Sequence, residues 1–124
     1  MTAKEIGDFG ERAAARYLFW HGYRIVARNY RAGKYETDII CTKGGYVVFA
    51  EVKTRNVKNA SYGAPSYAVD ADKMHFLTAC ANAYLSTHPT DRQPRIDIVE
   101  VLISEKNGRI RVIPHGINHI VNVV

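Results

Sequence analysis

The chain has 124 residues, 47% of them hydrophobic and 23% charged, with 17 Lys and Arg against 12 Asp and Glu for a net charge of +5. That length is one domain, residues 1–124, too short for two cores, and the positive balance favours a polyanionic partner. Cys41 and Cys80 are too few for a disulfide framework and suit a reducing cytoplasm; no signal-peptide apolar region opens the chain, and no apolar run reaches membrane-span length.

Thr2 is placed to cap a first helix running to about His21, with Ile6, Phe9, Gly10, Ala13, Ala14, Tyr17 and Leu18 in a stripe at helical spacing. At about 100° per residue, Glu11 falls on the border of that stripe. From there it can reach over the edge of a sheet the helix covers; the alternative is a solvated glutamate. Gly7 and Gly10 weaken the helix and permit close backbone packing, and Gly22 ends it. Tyr23 to Tyr30 reads as a first strand, followed by a turn around Gly33.

Two β-rich runs then flank Gly44-Gly45, the pattern of a two-residue hairpin turn. That turn pairs Ile40 with Phe49, Asp38 with Glu51 and Glu36 with Lys53. Alternation puts Glu36, Asp38, Ile40, Val47, Phe49, Glu51 and Lys53 on one face. From Tyr46 to Val52 both faces are apolar apart from Glu51, as in a covered central strand. Two opposed carboxylates in such a strand repel each other, and burying them unpaired costs several kcal/mol. A surface salt-bridge cluster is the plain alternative. A divalent cation, bound through hard oxygen ligands, makes such an arrangement favourable.

Asn56 to Pro65 reads as a polar loop near this cluster. A second helix is expected from an N-cap at Asp70, with Met74, Leu77, Thr78, Ala81, Tyr84 and Leu85 on one face, stopping before Pro89. Lys73 lies in its first turn, where it serves as a phosphate contact or as an exposed structural lysine. Arg95 to Ile103 is a strand, Asn107-Gly108 a turn, and Arg109 to Ile113 an edge strand. The tail from Pro114 to Val124 is expected to be a short helix, on which His115 and His119 would share one face. No Cys or acidic residue accompanies them, so the pair makes no zinc site by itself. The order is αβββαββ, an α/β domain with helices against a central mixed sheet.

The spacing of Asp38, Glu51 and Lys53 on a hairpin, with Glu11 upstream on a helix, resembles the PD-(D/E)XK nuclease superfamily. The nearer resemblance is to a bacterial family of small endonuclease-like proteins, often called YraN-like and related to archaeal Holliday junction resolvases. It covers nearly the whole chain. Gly10-Glu11 and Tyr17-Leu18 are similar to the family's opening helix, and Arg28-Asn29-Tyr30-Arg31 to its first strand. Glu36-Thr37-Asp38-Ile39-Ile40 and Glu51-Val52-Lys53-Thr54-Arg55 resemble its hairpin motifs. Gly63, Pro65, Ala68-Val69 and Lys73 resemble the next block, and Arg95-Ile96-Asp97-Ile98-Val99 its later strand. Tyr35 and Tyr67 depart from the pattern, standing for a glycine and an acidic residue; Tyr35 is placed to narrow access to the site.

The resemblance implies a restriction-endonuclease-like αβββαβ core with an extra C-terminal edge strand. It also implies Mg²⁺- or Mn²⁺-dependent hydrolysis of phosphodiester bonds in structured or branched DNA. Asp38 and Glu51 would hold the metal, with the backbone carbonyl of Val52 as a third ligand and Glu11 supporting a second metal or orienting water. Lys53 would position the attacking water or stabilise developing charge, and Glu36 would tune or pair with Lys53. Arg31, Arg55, Lys58 and Lys73 would contact phosphates. Two other readings stand beside it. One is a non-catalytic nucleic-acid-binding module, binding DNA or RNA, with DNA favoured over RNA as the partner. The other is a structural or adaptor protein, a homodimer through Arg109–Ile113, with the hairpin acids salt-bridged.

Overall fold

The computed structural model describes residues 1–58 and 71–123. Its elements are α1 (Ala3–Trp20), β1 (Arg24–Ala32), β2 (Tyr35–Lys43), β3 (Tyr46–Asn56), α2 (Ala71–Thr87), β4 (Gln93–Lys106) and β5 (Arg109–Ile120), in the expected order. The five strands form one mixed sheet in the order β1-β2-β3-β4-β5. All neighbours are antiparallel except β3 and β4, which are parallel. A parallel pair needs a crossover, and α2 lies in the chain between those two strands.

Local chemistry fixes the ends of α1. Thr2 Oγ1 accepts from the Glu5 N–H at 3.1 Å, and Glu5 Oε1 accepts from the Thr2 N–H at 3.2 Å, a reciprocal cap worth about 1 kcal/mol. At the other end Gly22 takes φ +87°. The Tyr23 N–H reaches the Leu18 carbonyl at 2.9 Å and the Gly22 N–H that of Phe19 at 3.1 Å, a Schellman closure.

The alternation in the hairpin divides the core between two helices. Ala14 and Leu18 of α1 cluster with Ile39, Cys41, Val48, Ala50, Val99 and Val101 on one face. Leu77, Ala81 and Tyr84 of α2 cluster with Ile40, Val47 and Phe49 on the other. Val47 to Ala50 are buried on both faces, as a central strand requires. The hairpin register is the expected one from Lys43 opposite Tyr46 to Ile39 opposite Ala50. It ends there, so Asp38 and Glu51 are not ladder partners, whereas β2 continues to pair with β1 as far as Tyr35 opposite Ala32.

Several expectations are corrected. The tail is a strand, not a helix: β5 runs to Ile120. The register shifts between Val101 and Ile103, so residues 113–116 have no direct partners; Pro114 therefore gives up no ladder bond. Gly116 lies so close to the Leu102 and Ile113 carbonyls that a Cβ there would come within 2.8 Å of both. His115 is exposed and His119 half-buried on this strand, so they do not form a helical pair. β1 extends to Ala32 and β4 from Gln93 to Lys106, both longer than expected. Thr78 is exposed, and Cys80 takes a buried place on the inner face of α2. The Asp70 cap and the loop beyond Lys58 lie outside the described residues. Among the described residues, no helix is long and apolar enough to cross a membrane.

Candidate metal centre

Where the β2–β3 ladder ends, a cleft of about 570 Å³ opens between α1 and the two strands. Ile6, Gly7 and Glu11 of α1 line it, with Asp38 of β2 and Glu51, Val52 and Thr54 of β3. Gly7 and Gly10 contribute differently from the expectation that both serve close packing. A Cβ at Gly10 would lie 2.8 Å from Thr54 Cβ and 2.9 Å from its Cγ2, so only glycine lets α1 approach β3 this closely. A Cβ at Gly7 would meet nothing within 4 Å. Gly7 lines the cleft, and its missing side chain leaves that wall low.

Asp38 replaces the missing ladder bond with its side chain: Oδ2 accepts from the Val52 N–H at 2.8 Å. The N–H and C=O of a strand residue point to the same side, so the Val52 carbonyl also faces β2. Glu51 is only 7% exposed. Burial, and then the charge of Glu51 beside it, push the Asp38 carboxyl up to about 8; the Val52 N–H opposes the shift and Glu11 adds to it. Burial also raises Glu11 above the ordinary carboxylate range, with Arg28 opposing. Arg28 Nη2 stands 3.9 Å from Glu11 Oε1. Asn29, with its amide nitrogen turned to that carboxylate, donates to Oε1 at 2.9 Å. Asn29 has φ +51°, the left-handed conformation that asparagine tolerates, and this turns its side chain toward α1. Sequence reasoning missed Asn29 as a support for Glu11; an Asn between β-rich flanks was the available signal.

The other expected residues are distributed as follows. Lys73 of α2 reaches Glu51, Nζ to Oε2 3.1 Å. Arg55 lines the cleft and pairs with Glu100 at 3.5 Å. Lys58 is exposed just past β3. Arg31 is paired at the surface with Glu36, 3.2 Å, its direct partner across β1 and β2. Glu36 therefore does not oppose Lys53, because β2 has left β3 before reaching it. Lys53 is half-buried, does not line the cleft, and makes no hydrogen bond or ion pair among the described residues. Tyr35 packs against Phe76 of α2, ring centroids 5.5 Å apart, and does not line the cleft.

A divalent cation fits this donor set. Asp38 and Glu51 are adjacent, poorly solvated carboxylates; burial first, and then the charge of Glu51, raise Asp38, and a cation held between them would offset both. Among the described residues no third His, Cys, Asp or Glu completes a side-chain cage, so a cation there would need further donors from the backbone, with the Val52 carbonyl nearest to hand, and from solvent. The ammonium of Lys73 already supplies one positive charge at Glu51.

A second polar cluster was also missed. Asp97 is fully buried and accepts from Arg95 Nε and Nη2 at 2.9 and 2.8 Å, from the Asn122 N–H at 2.9 Å, and pairs with His119 Nε2 at 2.7 Å. Although burial opposes it, the His119 and Arg95 bonds hold the Asp97 carboxyl below the usual range. This network ties the end of β5 to β4, and explains why His119 is not paired with His115.

Residues 10–101, which include every residue of the cleft from Glu11 to Arg55, match the uncharacterised protein family UPF0102. A UPF0102 protein of Symbiobacterium thermophilum is 44% identical over 110 residues, covering 88% of this chain and 91% of that protein. One from Dehalococcoides mccartyi is 38% identical over 115 residues, 92% and 93% of the two chains. One from Bacteroides thetaiotaomicron is 41% identical over 106 residues, 86% of each. The chain belongs to the uncharacterised protein family UPF0102.

Proposed function

We propose that this protein is a metal-dependent nuclease of the PD-(D/E)XK kind, a single restriction-endonuclease-like domain hydrolysing phosphodiester bonds of structured or branched DNA in the cytoplasm. The observation that carries this reading is the buried Asp38–Glu51 pair at the end of the β2–β3 ladder, set in an open cleft and electrostatically short of positive charge. A Mg²⁺ or Mn²⁺ ion bound there supplies Lewis-acid stabilisation of the scissile phosphate and a more acidic water.

Asp38 and Glu51 hold the ion from two strands, with the Val52 carbonyl as a third donor, while the Val52 N–H keeps Asp38 oriented. Glu11, fixed by Asn29 and Arg28, faces the opposite side of the cleft and accepts a proton from, or orients, the attacking water. Arg55, on the cleft wall, contacts phosphate, with Lys73, which already reaches Glu51, and the exposed Lys58 as further phosphate contacts. Lys53 does not line the cleft, and would have to turn into it to steady the charge that develops on phosphorus-bound oxygen.

The test is cleavage. The purified chain with Mg²⁺ or Mn²⁺ should nick a flapped or four-way DNA, and Glu51→Ala should abolish cutting. Activity in chelator, or undiminished activity in Glu51→Ala, removes the proposal. The Lys73–Glu51 ion pair favours a second reading, a nucleic-acid-binding module without turnover, in which that ammonium replaces the metal. That reading requires salt-sensitive DNA binding that Mn²⁺ does not change.

A further inference from the structure

The outer face of α1 carries side chains that the core does not use. At about 100° per residue, Arg12, Arg16, Phe19 and Trp20 fall within an arc of roughly 100° clear of the buried Gly10, Ala14 and Leu18, with the buried Ala13 at its edge beside Trp20. Trp20 is 75% exposed and Phe19 62%, with their rings edge to face and centroids 5.6 Å apart. A recess of about 430 Å³ adjoins Phe19, and Arg24 forms part of its wall. Two large rings left in water beside a concave surface mark a contact site rather than a solvated face.

The charge on this face is unbalanced. Arg12, Arg16 and Arg24 are exposed and enter no ion pair or hydrogen bond among the described residues. From Arg12 to Tyr35 the chain has no Asp or Glu. A second copy docked by two-fold symmetry would bring this same positive patch against itself. A polyanion is attracted instead, and the rings specify which kind. Unpaired bases expose π faces on which aromatic side chains stack, whereas a duplex keeps those faces inside.

We propose that the outer face of α1 binds single-stranded nucleic acid, with Trp20 and Phe19 stacking on unpaired bases and Arg12, Arg16 and Arg24 holding the flanking phosphates. Trp20 stands nine residues beyond Glu11 on the same helix, about 14 Å along its axis. Nine residues at about 100° each also turn Trp20 to the side of α1 away from Glu11, so a strand bound on this face is held outside the cleft. Binding by this face does not rest on the nuclease reading and is measured without metal.

Trp20 is the only tryptophan, so its emission reports on this face alone. The full chain is titrated in EDTA with oligo(dT) and with a blunt duplex of equal length. Oligo(dT) should quench Trp20 emission and bind more tightly than the duplex. Trp20→Ala should weaken oligo(dT) binding, read by anisotropy of the labelled strand, by about 5- to 150-fold, the span of one stacked base. Removing Arg12 and Arg16 together should lower the salt slope by roughly 1.4. Unchanged emission overturns the proposal, as does Trp20→Ala binding as tightly as the parent. So does a dimer in light scattering that Trp20→Ala dissociates. A chain that binds oligo(dT) in this way yet never cuts DNA keeps the proposal and removes the nuclease reading. One that cuts, with Trp20→Ala binding unchanged, does the reverse.

Discussion

Asp38→Asn separates what the acidic pair costs the fold from what it does. Burial and Glu51 raise the Asp38 carboxyl from 3.8 to about 8. Between those values the folded chain keeps a proton that the unfolded chain releases. The stability this gives is full below about pH 4 and is lost as the pH rises toward 8. At about 1.36 kcal/mol per pKa unit, the loss by pH 7 is on the order of 4 kcal/mol. Asparagine is neutral, nearly the same shape, and keeps an oxygen for the Val52 N–H. In EDTA at pH 7, Asp38→Asn should melt roughly 10 °C above the parent chain, and at pH 4 the two should nearly coincide. Mn²⁺ should raise the parent's melting temperature at pH 8 and leave the variant's unchanged. Scanning calorimetry across that pH range checks all three. A variant no more stable than the parent at pH 7, or a gap of equal size at pH 4, refutes the claim that the pair is short of positive charge.

Lys73→Met removes the ammonium that competes for Glu51. Calorimetry should show Mn²⁺ binding up to about 5-fold tighter, since a half-exposed ion pair is worth about 0–1 kcal/mol; weaker binding would make Lys73 a support rather than a competitor. Asp97→Ala strands Arg95 and His119 without their shared partner, and urea unfolding should show a loss of about 3–5 kcal/mol. A loss under about 1 kcal/mol would mean that this network does not hold β5. Gly10→Ala forces α1 off β3 at Thr54, and should cost about 1–3 kcal/mol and weaken Mn²⁺ binding by displacing Glu11; unchanged stability would show that the helix moves freely.

The hairpin was legible because its signals are local. A Gly-Gly pair set the register, and apolar residues on both sides of Tyr46 to Val52 marked a covered central strand, which α1 and α2 cover from opposite faces. Where the ladder would stop was not legible, since residues 35–37 continue to pair on their other side with β1. That branch point decided Glu36, which follows Arg31 instead of Lys53. Glu11 on the stripe border was readable from helical geometry; Asn29, which holds it, acts through a backbone twist that no period reveals. Pro114 concealed the second half of β5, because a proline that sits in a register shift looks in sequence like a strand's end. Asp97 looked like one polar residue in an apolar strand. Its meaning comes from His119 and Asn122, more than twenty residues away, which only the folded sheet brings together.

The metal centre itself is tested most directly by soaking crystals in Mn²⁺ and collecting anomalous data. The account predicts a peak between the carboxylates of Asp38 and Glu51, within ligand distance of the Val52 carbonyl, with Lys73 drawn away from Glu51. A map with no peak there, and Lys73 still on Glu51 at saturating Mn²⁺, would contradict it.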